Sequence, residues 1–136
     1  MRILVLNGPN LGRLGRREPD IYGSTTYEEL AAGCRQLEPE AEVRQTDDEA
    51  EMIGWLHEAA DTRTPVVLNP GAWGHYSYAL RDAVSQVPDV IEVHLSQTAA
   101  RESFRHTSVI SAVCRATITG LGPEGYHAAI RALALR

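Results

Sequence analysis

Residues 1–23, MRILVLNGPNLGRLGRREPDIYG, join the first apolar run of the chain to a long polar segment. Ile3 to Leu6 is apolar at every position, the pattern of a strand covered on both faces inside a parallel sheet. The polar segment holds two asparagines, three arginines, Tyr22, four glycines and Pro9, a composition that predicts a loop. A strand-to-helix connection of about sixteen residues is long where two to six are usual, and connections of that length act as lids. A lid is therefore expected at about residues 11–24.

Four more short apolar runs are present: Ala41 to Arg44, Pro65 to Leu68, Val90 to His94 and Ala116 to Thr119. Helical patterns lie between them. STTYEELAAGCRQL offers Thr25 and Glu28 as a capping box, with Leu30, Cys34 and Leu37 on one face; TDDEAEMIGWLHEAAD offers Thr46 and Glu49, with Met52, Leu56 and Ala59 inward. A third helix is expected from about Tyr76 to Ser85, with Leu80, Ala83 and Val84 buried and Pro88 beyond it. The last opens after Gly122, with Pro123 in its first turn. Strands alternating with helices predict an α/β fold, a flavodoxin-like three-layer sandwich. Its five-stranded parallel sheet has the order 2-1-3-4-5, with helices on both faces, in one domain over residues 1–136. No repeat or linker interrupts it.

Composition narrows the function. All 13 basic residues are arginine, so a lysine Schiff base and a GxxxxGK[ST] phosphate loop are excluded. The net charge of -5 argues against a nucleic-acid partner, which would need a basic face. No run approaches the ~20 apolar residues of a membrane span, and the apolar start is too short for a signal-peptide core. A cytoplasmic protein is expected, with Cys34 and Cys114 as buried free thiols.

In a sheet of this order, ligands bind beyond the carboxyl ends of the strands. After the first strand come Asn7, Asn10, Arg13, Arg16, Arg17 and Tyr22; after the third, Asn69 and His75; at the end of the fourth, Glu92, His94 and Ser96. A tyrosine is a poor base at neutral pH, but a guanidinium within about 4 Å contributes about 4 kcal/mol toward its phenolate at an effective dielectric near 20. Arg17, five residues before Tyr22, is a candidate for that guanidinium. The competing reading is a solvated basic loop with a packing tyrosine. In IEVHLS the period of two puts Glu92, His94 and Ser96 on one face, neighbours roughly 6.5 Å apart. A carboxylate so placed orients an imidazole and favours its protonated form, which suits a general acid; a satisfied, half-buried histidine is the plainer alternative. Arg101 and Arg105, one helical turn apart, either face the crevice to bind ligand oxygens or lie on a surface turn compensated by Glu102. GLGPEG at 120–125 matches G-x-G-x-x-G, but no strand or ribose-binding acid comes after it, so a tight strand-to-helix turn is expected.

Taken together, ILVLNGPNLGRLGRREPDIYG, LNPGAWGHYSYALRDA, IEVHLS, RESFRH and GLGPEGY resemble the type II 3-dehydroquinate dehydratases over essentially the whole chain. NGPNLxxLGxREPxxYG is the most specific of these matches. The resemblance implies a cofactor-free anti elimination of water from 3-dehydroquinate through an enolate, giving 3-dehydroshikimate in the shikimate pathway. It implies Tyr22 as the base at C2, with Arg17 favouring its phenolate and organising the lid. Asn10 would hold a water against the enolate oxygen. His94 would protonate the departing C1 hydroxyl, tuned by Glu92. Asn69, Leu95 and Ser96 would hold the substrate carboxylate, and His75 and Arg105 the ring hydroxyls. Asp82 would reach a neighbouring subunit's site in a dodecamer of trimers. Two departures stand out. The family's N-x-H-x-R-E after the serine is Gln97 to Glu102 here, which touches contacts at the site mouth and between subunits. Gly74 stands where Thr or Ser is common, which predicts a looser pocket or slower turnover. Two other classes are a flavodoxin-like nucleotide- or flavin-binding module, and a hydrolase built on Ser96 and His94; the second lacks a G-x-S-x-G elbow.

Overall fold

A computed structural model of the chain describes residues 1–135. The first apolar run forms β1, Ile3–Asn7, with all five residues buried. Neighbouring strands are β2 (Ala41–Gln45), β3 (Val66–Asn69), β4 (Val90–His94) and β5 (Ala116–Thr119), all parallel, in the expected order β2-β1-β3-β4-β5. Two cores form because β1 alternates its side chains between faces. Ile3 and Val5 pack with Val67, Ile91 and Val93 on one side; Leu4 and Leu6 pack with Val66, Leu68 and Val90 on the other.

The polar segment after β1 is not the open loop expected. It contains a 3-10 turn, Leu11–Arg13, and one turn of helix, α1, Pro19–Tyr22. Pro19 fixes a φ suited to a first helical turn, and Leu11 and Leu14, each 4% exposed, anchor the segment to the core.

Helix α2, Tyr27–Leu37, starts one residue later than expected: the capping box is Thr26 with Glu29. Its Leu30 and Cys34 are buried, but Leu37 is exposed. Helix α3, Glu49–Thr62, is capped by Asp48 and not by Thr46. The Thr46 hydroxyl accepts from the Asp48 N–H instead, while Glu49 accepts a short hydrogen bond from Ser77. Met52, Leu56 and Ala59 face the core as expected. Helix α4, Tyr78–Val84, is capped by Ser77 and begins late because Gly71–His75 forms a 3-10 stretch of its own. Helix α5, Glu124–Ala134, comes directly after Pro123. Helices α2 and α5 cover one face of the sheet, α3 and α4 the other. No described helix is long and apolar enough to cross a membrane.

Cys34 and Cys114 are free, the first buried and the second half-buried, and burial pushes their thiols up to about 11 and about 12. Gly8 is where β1 and β3 come together. A Cβ there would stand 2.6 Å from the Pro70 carbonyl oxygen, and the Gly8 N–H donates to the Asn69 carbonyl at 2.8 Å. Only glycine allows this approach, which sets the loops carrying Asn10 and Asn69 side by side.

Candidate active site

One cleft opens at the carboxyl ends of the strands. Asn10, Arg17, Tyr22, Asn69, His75, His94, Leu95, Ser96 and Arg105 all line it. It encloses about 570 Å³ when the open mouth is included. Arg13 and Arg16, also candidates from sequence, are exposed and not among its lining. Asp82 lies on the exposed side of α4 and does not line the cleft of its own chain.

On the lid side, Arg17 donates from Nη2 to the Tyr22 hydroxyl at 3.1 Å, with its guanidinium carbon 4.2 Å from the ring centroid. Arg101 approaches the same ring at 4.9 Å and donates to the Ser96 hydroxyl at 3.2 Å. Two guanidinium groups therefore lie against one phenol ring. Both readings of ARESFRH hold together: Arg101 and Arg105 line the cleft, and Glu102 pairs with them at 3.6 and 3.1 Å. Asn10 holds a left-handed backbone, φ 69°, with its N–H fixed by Asp47 at 2.8 Å.

At the far wall, Glu92 is fully buried behind His94, and its Oε2 lies 2.6 Å from His94 Nε2. Sequence spacing anticipated this pair but not the hydroxyls that surround it. Ser108 donates to the carboxylate at 2.9 Å, Ser111 at 2.5 Å and Thr117 at 3.3 Å. Burial works against the charge of Glu92, yet the hydrogen bonds from His94, Ser111 and Ser108 hold its carboxyl below the usual carboxylate range. The signal that could have found these hydroxyls is the rule that a buried carboxylate must be satisfied, applied to TSVIS at 107–111.

That lowered value has a pH consequence. Glu92 binds its proton less readily folded than unfolded, so it contributes stability above its ordinary value of 4.5, and the contribution is lost as pH falls through the lowered folded value. Thermal unfolding followed from about pH 6 down to about pH 3 should show a steeper fall in Tm for the native chain than for Glu92→Gln. Parallel slopes would contradict it.

His75 stacks near His94, ring centroids 6.1 Å apart, and its Nδ1 sits 2.8 Å from the Thr107 carbonyl oxygen. A carbonyl only accepts, so Nδ1 carries the proton and Nε2 is left as the acceptor. Burial pushes the His75 imidazole below its ordinary value, helped by His94 and Arg105 and opposed by the Thr107 carbonyl.

The two departures take definite forms. The Gln97 side chain accepts from the Thr119 hydroxyl at 2.8 Å, and the Gly120 N–H donates to the Ser96 carbonyl at 3.0 Å. Gly122 N–H donates to the Leu95 carbonyl at 3.0 Å. The GLGPEG turn, with Gly120 and Gly122 at positive φ, thus spends those N–H groups on its own chain and does not cradle a phosphate with them. Gly74 is buried, with no slack: a Cβ there would meet Pro70 Cγ at 2.8 Å. The backbone around Gly74 is therefore tightly packed on the Pro70 side. Gly74→Ala should cost about 1–3 kcal/mol through overpacking, read as a lowered Tm; an unchanged Tm would mean the Pro70 ring moves freely. Ser96 pairs with Arg101 and His94 with Glu92, not with each other as a serine nucleophile and its base would.

A doubly wound parallel sheet with a cation-flanked phenol and a carboxylate-held imidazole on one cleft defines a flavodoxin-like α/β protein equipped for acid–base chemistry. The family described as dehydroquinase class II matches residues 1–134, and the chain belongs to that family. It is 57% identical to the type II dehydroquinase of Propionibacterium acnes, whose crystal structure superposes with a TM-score of 0.97 over 99% of this chain and 97% of that one. A relative from Salinispora tropica named 3-dehydroquinate dehydratase is 56% identical, covering 100% of this chain and 99% of its own. One of the same name from Mycobacterium avium is 52% identical over the same shares.

Proposed function

We propose that the chain is a 3-dehydroquinate dehydratase acting in the shikimate pathway, removing water from 3-dehydroquinate by anti elimination to give 3-dehydroshikimate. The observation that carries this reading is the Arg17–Tyr22 contact facing the same cleft as the buried Glu92–His94 pair. The proton alpha to a ketone is weakly acidic, so elimination needs a base poised near operating pH and a fixed field around the developing enolate. The Tyr22 phenolate removes the C2 proton, and the released electron pair forms the enolate with oxygen at C3. Asn10 holds a water against that oxygen. The enolate then collapses, the C1–O bond breaks, and His94 delivers a proton to the departing hydroxyl, which leaves as water. Glu92 keeps the imidazole oriented.

Asn69, Leu95 and Ser96 receive the substrate carboxylate, and the Nε2 of His75 and the guanidinium of Arg105 take ring hydroxyls. Residues 11–24 act as the lid of a single domain spanning 1–136; closing it excludes water and strengthens each charge interaction inside. The reaction proceeds through no lysine adduct, since the chain has no lysine. A cytoplasmic enzyme without an organic cofactor or nucleic-acid partner suits the free thiols and acidic balance.

The assembly proposed is a dodecamer of trimers, with Asp82 on α4 entering a neighbour's site. Support comes from the exposure of Asp82 and of the aromatic side chains Tyr76 (62%), Tyr78 (70%) and Phe104 (55%) near it and near the cleft, a density of apolar surface that marks interfaces. Sizing should give a particle many times one chain. The activity itself is tested by adding 3-dehydroquinate and following the ultraviolet absorbance of the conjugated product. Absence of that absorbance at any pH would overturn the reading.

A further inference from the structure

Tyr126, on α5, is fully buried and does not line the cleft, yet its hydroxyl joins two asparagines at the ends of adjacent strands. It donates to Asn7 Oδ1 at 2.6 Å and accepts from Asn69 Nδ2 at 2.8 Å. Asn7 and Asn69 are register partners across β1 and β3 and are 0% and 3% exposed. We propose that Tyr126 is a positioning residue that, together with the Gly71 N–H, holds the Asn69 amide in the place and orientation it presents to the cleft. The inference rests on the reading of Asn69 as a substrate contact.

The polarity of the chain of bonds is fixed at both ends by backbone. Asn7 Nδ2 donates to the Arg44 carbonyl at 3.2 Å, so its Oδ1 must be the atom turned to Tyr126. A phenol has one proton, and that proton goes to Asn7. Its oxygen is then only an acceptor toward Asn69, which must present Nδ2. At the other end, Asn69 Oδ1 accepts from the Gly71 N–H at 3.1 Å. Each link therefore dictates the next, and Asn69 is held with its second Nδ2 proton as the donor it can offer to a ligand. A donor suits a carboxylate; a flipped amide would offer a carbonyl and repel it. Burying a phenol and two amides is costly unless every group is satisfied, and here the satisfied arrangement has a single direction.

Tyr126→Phe keeps the ring and removes the oxygen that holds Nδ2. It should raise KM for 3-dehydroquinate about tenfold, the effect of one misdirected hydrogen bond to a charged group, with kcat within about threefold of native. Asn7→Leu provides a second test from the opposite side. With its acceptor gone, the phenol proton can turn toward Asn69 Nδ2, where donor meets donor; because the Gly71 N–H still holds Oδ1, the amide is pushed out of place, not reversed, again raising KM while sparing kcat. A merely structural role would lower Tm in both variants and leave KM unchanged, and that outcome would overturn the inference. Asn69→Ala separates the levels. If it raises KM while folded Tyr126→Phe and Asn7→Leu do not, the inference fails alone; if it leaves KM unchanged in an active enzyme, the reading of Asn69 fails with it.

Discussion

Tyr22→Phe should lower kcat by about 10³- to 10⁴-fold, the upper range for removing a general base, with KM changed by no more than a few fold. The substitution is selective because the ring has two jobs. Tyr22 is partly buried against the core and receives Arg17 and Arg101 over its ring; phenylalanine retains both contacts. Only the oxygen at 3.1 Å from Arg17 Nη2 is lost. Single-turnover measurements with saturating substrate would isolate the chemical step from binding and release. A variant that kept a tenth of native turnover would exclude this phenol as the base, whatever its position. Loss of substrate affinity in parallel with kcat would instead make Tyr22 a part of the lid contact with the ligand.

His94→Gln should lower kcat by about 10²- to 10⁴-fold. Glutamine is the informative replacement because its amide N–H can still donate to the Glu92 carboxylate now 2.6 Å from Nε2. Alanine would leave that buried charge short of a partner, and a destabilised site would confuse the result. If elimination is stepwise, the variant should still exchange the C2 proton of the substrate with solvent deuterium, because removal of that proton belongs to Tyr22. Exchange lost together with turnover would contradict this division of labour.

The fold was legible because β1, β3 and β4 are apolar through most of their lengths and the helices between them repeat at helical spacing. The ambiguity left by sequence was local. Thr25-Thr26 and Glu28-Glu29 are doublets, so the capping spacing is satisfied in two registers, and geometry selects Thr26 with Glu29. At α3 the same spacing pointed to Thr46, but Asp48 caps more directly through Ala50 and Glu51. The polar segment after β1 reads as loop by composition because one-turn helices have too few residues to show a period; Leu11 and Leu14 were the available sign of its anchoring.

The cleft itself was largely readable from the rule that polar residues at strand ends converge. Arg17 with Tyr22 and Glu92 with His94 are close in sequence, so their spacing carried the contact. Tyr126 carries no such sign. Its partners lie 119 and 57 residues away, and a tyrosine in an amphipathic helix reads as packing until three-dimensional structure shows its hydroxyl.

That separation bears on how the molecule is made. By the time Arg105 has left the ribosome, the nascent chain holds every side chain that lines the cleft, but the phenol that bridges β1 to β3 belongs to the last helix. The two strand ends are joined through side chains only when α5 docks, so α5 must be synthesised before the site takes its final form. A chain cut short after Gly122 would carry the whole of the chemistry and lack the part that aligns it.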